Sequence, residues 1–167
     1  MVTWRNLLDV GVNIDLGRSK VVRRAYGMDE IALVPGFRTI DPSITNTSWS
    51  LGGFNLDIPI IASAMDGVVD VGMAGELSKL GALGVLNLEG IQTRYEDTSK
   101  VLEQISSVGK EKFVTLMQEI YKQPIKEELI RKRIREIKDQ GGIAAVSSTP
   151  AAAIRFREVI CDTNLDL

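Results

Sequence analysis

The residue pattern predicts an α/β fold built on parallel strands, on three observations. Apolar runs of strand length recur near 58–63, 82–87 and 143–147, compact enough to be buried on both faces. Each run is followed by a helical repeat instead of a hairpin turn. The first run, its helix and the second run together take about thirty residues, the length of a strand–helix–strand crossover, which makes the two strands parallel.

Residues 1–13 read as an N-terminal extension. They show no basic stretch leading into an apolar one, so no secretory signal is expected. From 28 to 59 the chain reads as irregular, with turns at Pro35-Gly36, Asp41-Pro42 and Gly52-Gly53 and a candidate edge strand at 31–34. After the first apolar run, Asp70 is placed to cap a helix over VGMAGELSKLG. Met73, Leu77 and Leu80 share one side of it, and Gly81 stands at the C′ position.

The segment KFVTLMQEIY has the apolar density of a strand, but Phe113, Leu116, Met117, Ile120 and Tyr121 recur at helical spacing. With Val101, Leu102 and Ile105 before it and Leu129, Ile130, Ile134 and Ile137 after it, residues 97–139 become a helical stretch. Pro124 interrupts it and Gly141-Gly142 ends it. Thr149 as N-cap and Pro150 at N1 open another helix through Cys161. The final NLDL reads as the approach to a further strand.

A β/α barrel has eight strands and about 250 residues; three core strands are visible here. The long helical insertion favours the N-terminal part of a (β/α)8 barrel over 14–167, incomplete in this chain. A small open sheet is the alternative.

Composition excludes several chemistries. The 167 residues include no histidine and a single cysteine, Cys161. Within this polypeptide that rules out a Ser-His-Asp or Cys-His relay, a His- or Cys-cluster metal site and an internal disulfide. Twenty basic and 22 acidic residues give a net charge of −2, which argues against nucleic acid as the main partner. No apolar run approaches the ~18 residues of a membrane span, and a reduced, cytoplasmic setting is expected.

The cluster RKRIREIK reads as the solvated face of a helix, with i,i+4 pairs Glu127–Arg131 and Glu128–Lys132. Arg18, Lys20, Arg23 and Arg24, beside Tyr26, lack a helical period. They read either as plain surface or as a loop touching a phosphate or a neighbouring subunit.

Three longer motifs are more specific: RRAYGMDEIALVPG at 23–36, IPIIASAMDGVVD at 58–70 and GALGVLNLEGIQTRYED at 81–97. In this order they resemble the IMP dehydrogenase and GMP reductase family, closest to its bacterial branch without CBS domains. The resemblance runs from about residue 14 to the C-terminus. It implies a β/α barrel binding IMP and NAD at the C-terminal strand ends, where a cysteine thiolate attacks C2 of IMP, hydride passes to NAD and the xanthosine monophosphate adduct is hydrolysed. It also implies a potassium-binding loop and a homo-oligomer for the complete protein, neither placed within these residues.

By the same resemblance, Ser63 and Met65 occupy the strand-end motif that contacts the nucleotide. A hydroxyl can bond a phosphate or ribose oxygen, and a thioether can lie flat on a purine. Asp66 and Asp70 read as turn and cap residues. Asn87 and Glu89 stand where many family members have histidines on the nicotinamide side, and with Ser147 they are the candidate cofactor contacts. No catalytic residue carries over: Cys161 falls at a helix end among Val159, Ile160 and Asp162, away from any Gly/Ser-rich loop. The expected activity is that of an IMP dehydrogenase, here as a fragment inactive alone. GMP reductase and a non-catalytic nucleotide-binding or interaction piece are the alternatives.

Overall fold

The computed structural model describes residues 13–167, so the extension expected over 1–13 lies almost wholly outside the described residues. The chain divides into two compact units, one up to Thr45 and the other Asn46–Leu167. The first holds an antiparallel hairpin of β1 (Asn13–Asp15) and β2 (Val21–Arg23). Its turn passes through Gly17, Arg18 and Ser19, all at positive φ, and the Asp15 carboxylate accepts the Gly17 N–H at 2.7 Å. The basic cluster therefore lies on a hairpin. Arg24 is engaged locally, pairing with Glu30 at 2.5 Å and lying 4.9 Å from the Tyr26 ring. The strand expected at 31–34 does not form, and Leu33, Val34 and Phe37 are exposed.

The second unit starts with another hairpin, β3 (Trp49–Leu51) and β4 (Phe54–Leu56). Gly52 and Gly53 both take positive φ, the requirement of the tight two-residue turn that matches strand twist. The sequence had shown the turn without the strands. The three core strands follow as β5 (Ile61–Ala62), β6 (Leu83–Asn87) and β7 (Ala145–Ser147), shorter than expected, with β6 central and parallel to both neighbours.

Helix α1 (Val71–Lys79) makes the first crossover; the Asp70 carboxylate caps it, accepting the Met73 N–H at 2.7 Å. Its buried face is not the expected one. Ala74 and Gly75 are buried, whereas Met73 and Leu80 are exposed. The reason lies on β6: a Cβ at Gly84 would come within 2.9 Å of the Ala74 Cα and 3.2 Å of a Leu77 methyl, so helix and strand meet closely through Ala74 and Leu77 while Met73 and Leu80 turn outward. The helical stretch resolves into α2 (Thr98–Ser107), α3 (Lys110–Lys122) and α4 (Glu127–Asp139). The last expected helix breaks at Phe156 into α5 (Pro150–Arg155) and α6 (Arg157–Asp162).

Strand alternation sorts the sheet into two faces. Leu86, Leu88, Ala144 and Val146 join Ile130, Ile134, Ile137, Phe156 and Val159 in the core beneath the helices. Leu83, Val85, Ile143 and Ala145 point the other way, where Leu56, Trp49 and Leu51 of the β3–β4 hairpin cover them. Leu83 and Ala145 begin their strands, so the hairpin covers the N-terminal end of that face. At about 1.5–3 kcal/mol per fully buried aliphatic side chain, these two clusters and a third of Ile91, Val101 and Ile120 between α2, α3 and the loop after β6 carry the apolar stabilisation of the unit.

Beyond β7, Leu167 accepts the Val146 N–H at 3.1 Å and donates to the Ala144 carbonyl at 3.2 Å. The two bonds form a parallel bridge to Ala145, in line with the reading of NLDL as an approach to a strand. Among the described residues, no helix is long and apolar enough to cross a membrane.

Candidate functional site

The open end of the helix-free face is where the candidate residues gather. Asn87 and Ser147 are register partners across β6 and β7. By alternation both side chains leave the sheet on the face of Val85 and Ala145, away from the helices. Ser63 lies one residue past Ala62, the last residue of β5, and is exposed. Met65 follows in a tight turn: its N–H donates to the Ser63 carbonyl at 2.8 Å, and its own carbonyl accepts Val68 and Val69 N–H. The thioether side chain is 54% exposed, close to the exposure of Ile60 and Ile61 just before it. Ser63, Met65, Asn87 and Ser147 thus border the C-terminal edge of three consecutive parallel strands, the edge on which open and closed α/β folds bind ligands.

Glu89 does not join them. Its carboxylate accepts the Thr149 N–H at 2.7 Å and the Thr149 hydroxyl at 3.2 Å, tying the loop after β6 to the start of α5. Thr149 caps that helix as expected, accepting the Ala152 N–H at 3.3 Å. With Ile125, Arg155 and Phe156, Glu89 and Thr149 border a small cavity of about 180 Å³.

Two arginines and a tyrosine that the sequence reading assigned no site role fix these loops. Arg94 donates to the Glu89 carbonyl from Nε at 3.2 Å and from Nη2 at 3.0 Å. Its Nη1 reaches the Tyr121 carbonyl at 3.2 Å and also bonds the Gln123 carbonyl. Tyr95 adds a hydroxyl bond to the Ile120 carbonyl at 2.9 Å. The last carbonyls of α3, which have no partners within a helix, are thereby satisfied by the loop after β6.

Arg133, inside the cluster expected to be solvated, is buried. It donates to the carbonyls of Gln92 (3.0 Å), Tyr95 (3.2 Å) and Glu96 (2.7 Å) and pairs with Glu136 at 3.0 Å. Its neighbours stay at the surface with partners other than those expected: Arg131 pairs with Asp162 at 3.0 Å, and Lys132 with Glu96 and Glu136.

Asp66 is more than a turn residue. Its Oδ2 accepts the Ile91 N–H at 3.0 Å and the Tyr121 hydroxyl. Partial burial, then the hydrogen bond to Asp66 and its charge, push the Tyr121 phenol up to about 12, against the opposing Arg94 charge. A Cβ at residue 90 would collide with the Asp66 carboxylate, so Gly90 is what lets the two loops approach. That glycine, next to a strand end, was the only trace of the contact in the sequence.

The one cysteine of the sequence is not among these strand-end residues. Cys161 is a free, exposed thiol in the last turn of α6, and no histidine exists to act as its base.

Comparison with known proteins identifies the family and the fold. Residues 25–162 match the family described as the IMP dehydrogenase / GMP reductase domain. An uncharacterized oxidoreductase of Mycobacterium leprae is 33% identical over 159 residues, covering 92% of this chain and 42% of the relative. The inosine-5′-monophosphate dehydrogenase of Methanocaldococcus jannaschii is 42% identical over 65 residues, 39% of this chain and 13% of that enzyme. Among solved structures, an IMP dehydrogenase/GMP reductase-like protein from Corynebacterium glutamicum superposes with a TM-score of 0.77 at 25% identity, over 92% of this chain and 43% of that one. The chain spans less than half the length of these relatives.

Proposed function

The chain belongs to the IMP dehydrogenase / GMP reductase family, and on that premise we propose that it forms the nucleotide-binding part of an IMP dehydrogenase-type oxidoreductase. The complete enzyme converts IMP, NAD and water to XMP and NADH within a (β/α)8 barrel, and this chain supplies its first strands. The observation that carries the reading is the position of Ser63, Asn87 and Ser147 at the C-terminal ends of three consecutive parallel strands, Asn87 and Ser147 as register partners.

Ser63 donates its hydroxyl to the ribose or phosphate of IMP, and Met65 lies against the purine. For the dinucleotide the fit is partial. Asn87 and Ser147, side by side at the mouth, present an amide NH2 and a hydroxyl to a nicotinamide, which accepts hydride when bound; the Asn87 Oδ1 is taken by the Glu89 N–H at 3.0 Å. Glu89 is turned to Thr149 and acts on the cofactor side only by holding α5. The thiolate that opens the reaction is not Cys161, so residues 1–167 alone bind but do not turn over.

Calorimetric titration of residues 1–167 with IMP tests the reading. Saturable binding, weakened roughly five-fold by Ser63→Ala as expected for one lost hydrogen bond, supports it. Equal affinity in wild type, Ser63→Ala and Met65→Ala removes it. Tighter binding of GMP than of IMP favours the reductase branch of the family.

A further inference from the structure

The proposed nucleotide site explains Ser63 and Met65 but leaves the end of α3 unaccounted for. That end touches both strand-end loops through one residue. The Tyr121 hydroxyl donates to Asp66, next in sequence to Met65, while the Tyr121 carbonyl accepts from Arg94, whose guanidinium also holds the Glu89 carbonyl and lies 5.4 Å from the Tyr121 ring. Asp66 in turn accepts the Ile91 N–H, its carboxylate filling the space that a Cβ at residue 90 would need. Asp66 has no ion-pair partner among the described residues, and its Oδ1 is buried without a hydrogen bond there. Its placement therefore rests on Tyr121 and the Ile91 N–H.

We infer that Tyr121 is a positioning residue for the nucleotide loop: through Asp66 it sets the Ser63–Met65 turn, so the helical insertion controls the shape of the binding surface. This rests on the nucleotide reading for its consequence and on the Tyr121–Asp66–Ile91 contacts for its existence. With the Tyr121 hydroxyl removed, the Asp66 carboxylate is held by the Ile91 N–H alone, while buried Val69 and the Asp70 cap keep the far end of the loop in place. The turn that carries Met65 then samples open conformations, and a ligand must select the closed one.

The test is amide hydrogen exchange on residues 1–167 as wild type, Tyr121→Phe, Asp66→Asn and the double variant, with IMP titration alongside. The informative amides are Val68 and Val69, bonded to the Met65 carbonyl, and Ile91, bonded to Asp66; Leu88, bonded to Ser147 across β6 and β7, is the control. Exchange roughly ten-fold faster at the first three, as for one lost charge-assisted bond, is expected in Tyr121→Phe with Leu88 unchanged. The double variant should be no faster than the Asp66 single, the coupling signature of one shared contact. A purely structural role would speed all four amides together, and that result, or no change at any, overturns the inference. Asp66→Asn, which keeps the side-chain shape, gives the same exchange readout if Tyr121→Phe does not fold. IMP affinity should fall with the exchange change; unchanged affinity in a wild type that binds overturns the positioning role. A wild type that binds no IMP, with the local exchange change still seen, removes the nucleotide reading while the loop tether stands.

Discussion

Ala145 and Leu167 sit side by side as parallel neighbours, joined by the Val146 N–H to Leu167 carbonyl bond and the Leu167 N–H to Ala144 carbonyl bond. The Leu167 side chain packs with Leu56, Leu83 and Ala145 and lies against Gly52 of the β3–β4 turn. One residue thus protects an edge of the parallel sheet and closes the cluster under the hairpin. Leu167→Ala should cost about 1–2 kcal/mol, the lower range for truncating a half-buried leucine, read as a lower urea midpoint with an unchanged slope.

Arg133 gives a sharper contrast. Its guanidinium is shared among three carbonyls and Glu136 in a buried position. Arg133→Met removes the charge and leaves those carbonyls without a partner, so a loss of about 3 kcal/mol is expected. Two residues away, exposed Arg135 should change stability by less than about 0.5 kcal/mol when replaced by alanine. Equal effects in urea melts would mean that Arg133 does not hold the 92–96 loop.

The pH dependence follows from Tyr121. Its phenol is raised from 10.0 to about 12, so the protonated form is favoured in the folded state. The stabilisation is fully present below pH 10 and is lost as pH rises toward 12, when a phenolate would face Asp66. Ultraviolet titration of tyrosine ionisation should show a late component that disappears in Tyr121→Phe. Its persistence in that variant would assign the shift to another tyrosine.

The fold was legible where local chemistry and burial agree. Asp70 and Thr149 are caps because their short oxygens reach the N–H groups of the first helical turn, and Gly81 ends α1 at φ 75°, as its C′ position requires. The β3–β4 hairpin was half legible: Gly52-Gly53 announced a turn, but three-residue strands offer too little alternation to be recognised. The outward Met73 depends on Gly84 of β6 meeting Ala74 where α1 packs on the sheet, a partner no helical period contains. Arg133 was misread for the same reason, since burial of a cation requires carbonyls contributed by a loop some forty positions away in sequence. At the site, Ser63 and Asn87 were singled out through the family resemblance and Ser147 through its strand-end position, and all three do stand at strand ends. The tie made by Glu89 was not legible, because its partner Thr149 comes from the next strand–helix unit.

Catalysis offers a simple check on the division of labour. Residues 1–167 with IMP and NAD should form no NADH above background, and Cys161→Ser should change nothing, because Cys161 lies in α6 away from the strand ends. Turnover abolished by Cys161→Ser would overturn the assignment of that thiol as non-catalytic.

The most direct measurement is a methyl NMR titration of the chain labelled at its five methionines with IMP. Met65 lies at the proposed purine contact, while Met73 is on the outer side of α1 and Met117 within α3. The expected result is a saturable shift of one resonance, assigned to Met65 by its absence in Met65→Leu, with Met73 and Met117 unmoved. A Met65 methyl that stays in place while IMP binds, or one that moves only together with all the others, would contradict a nucleotide site at the end of β5.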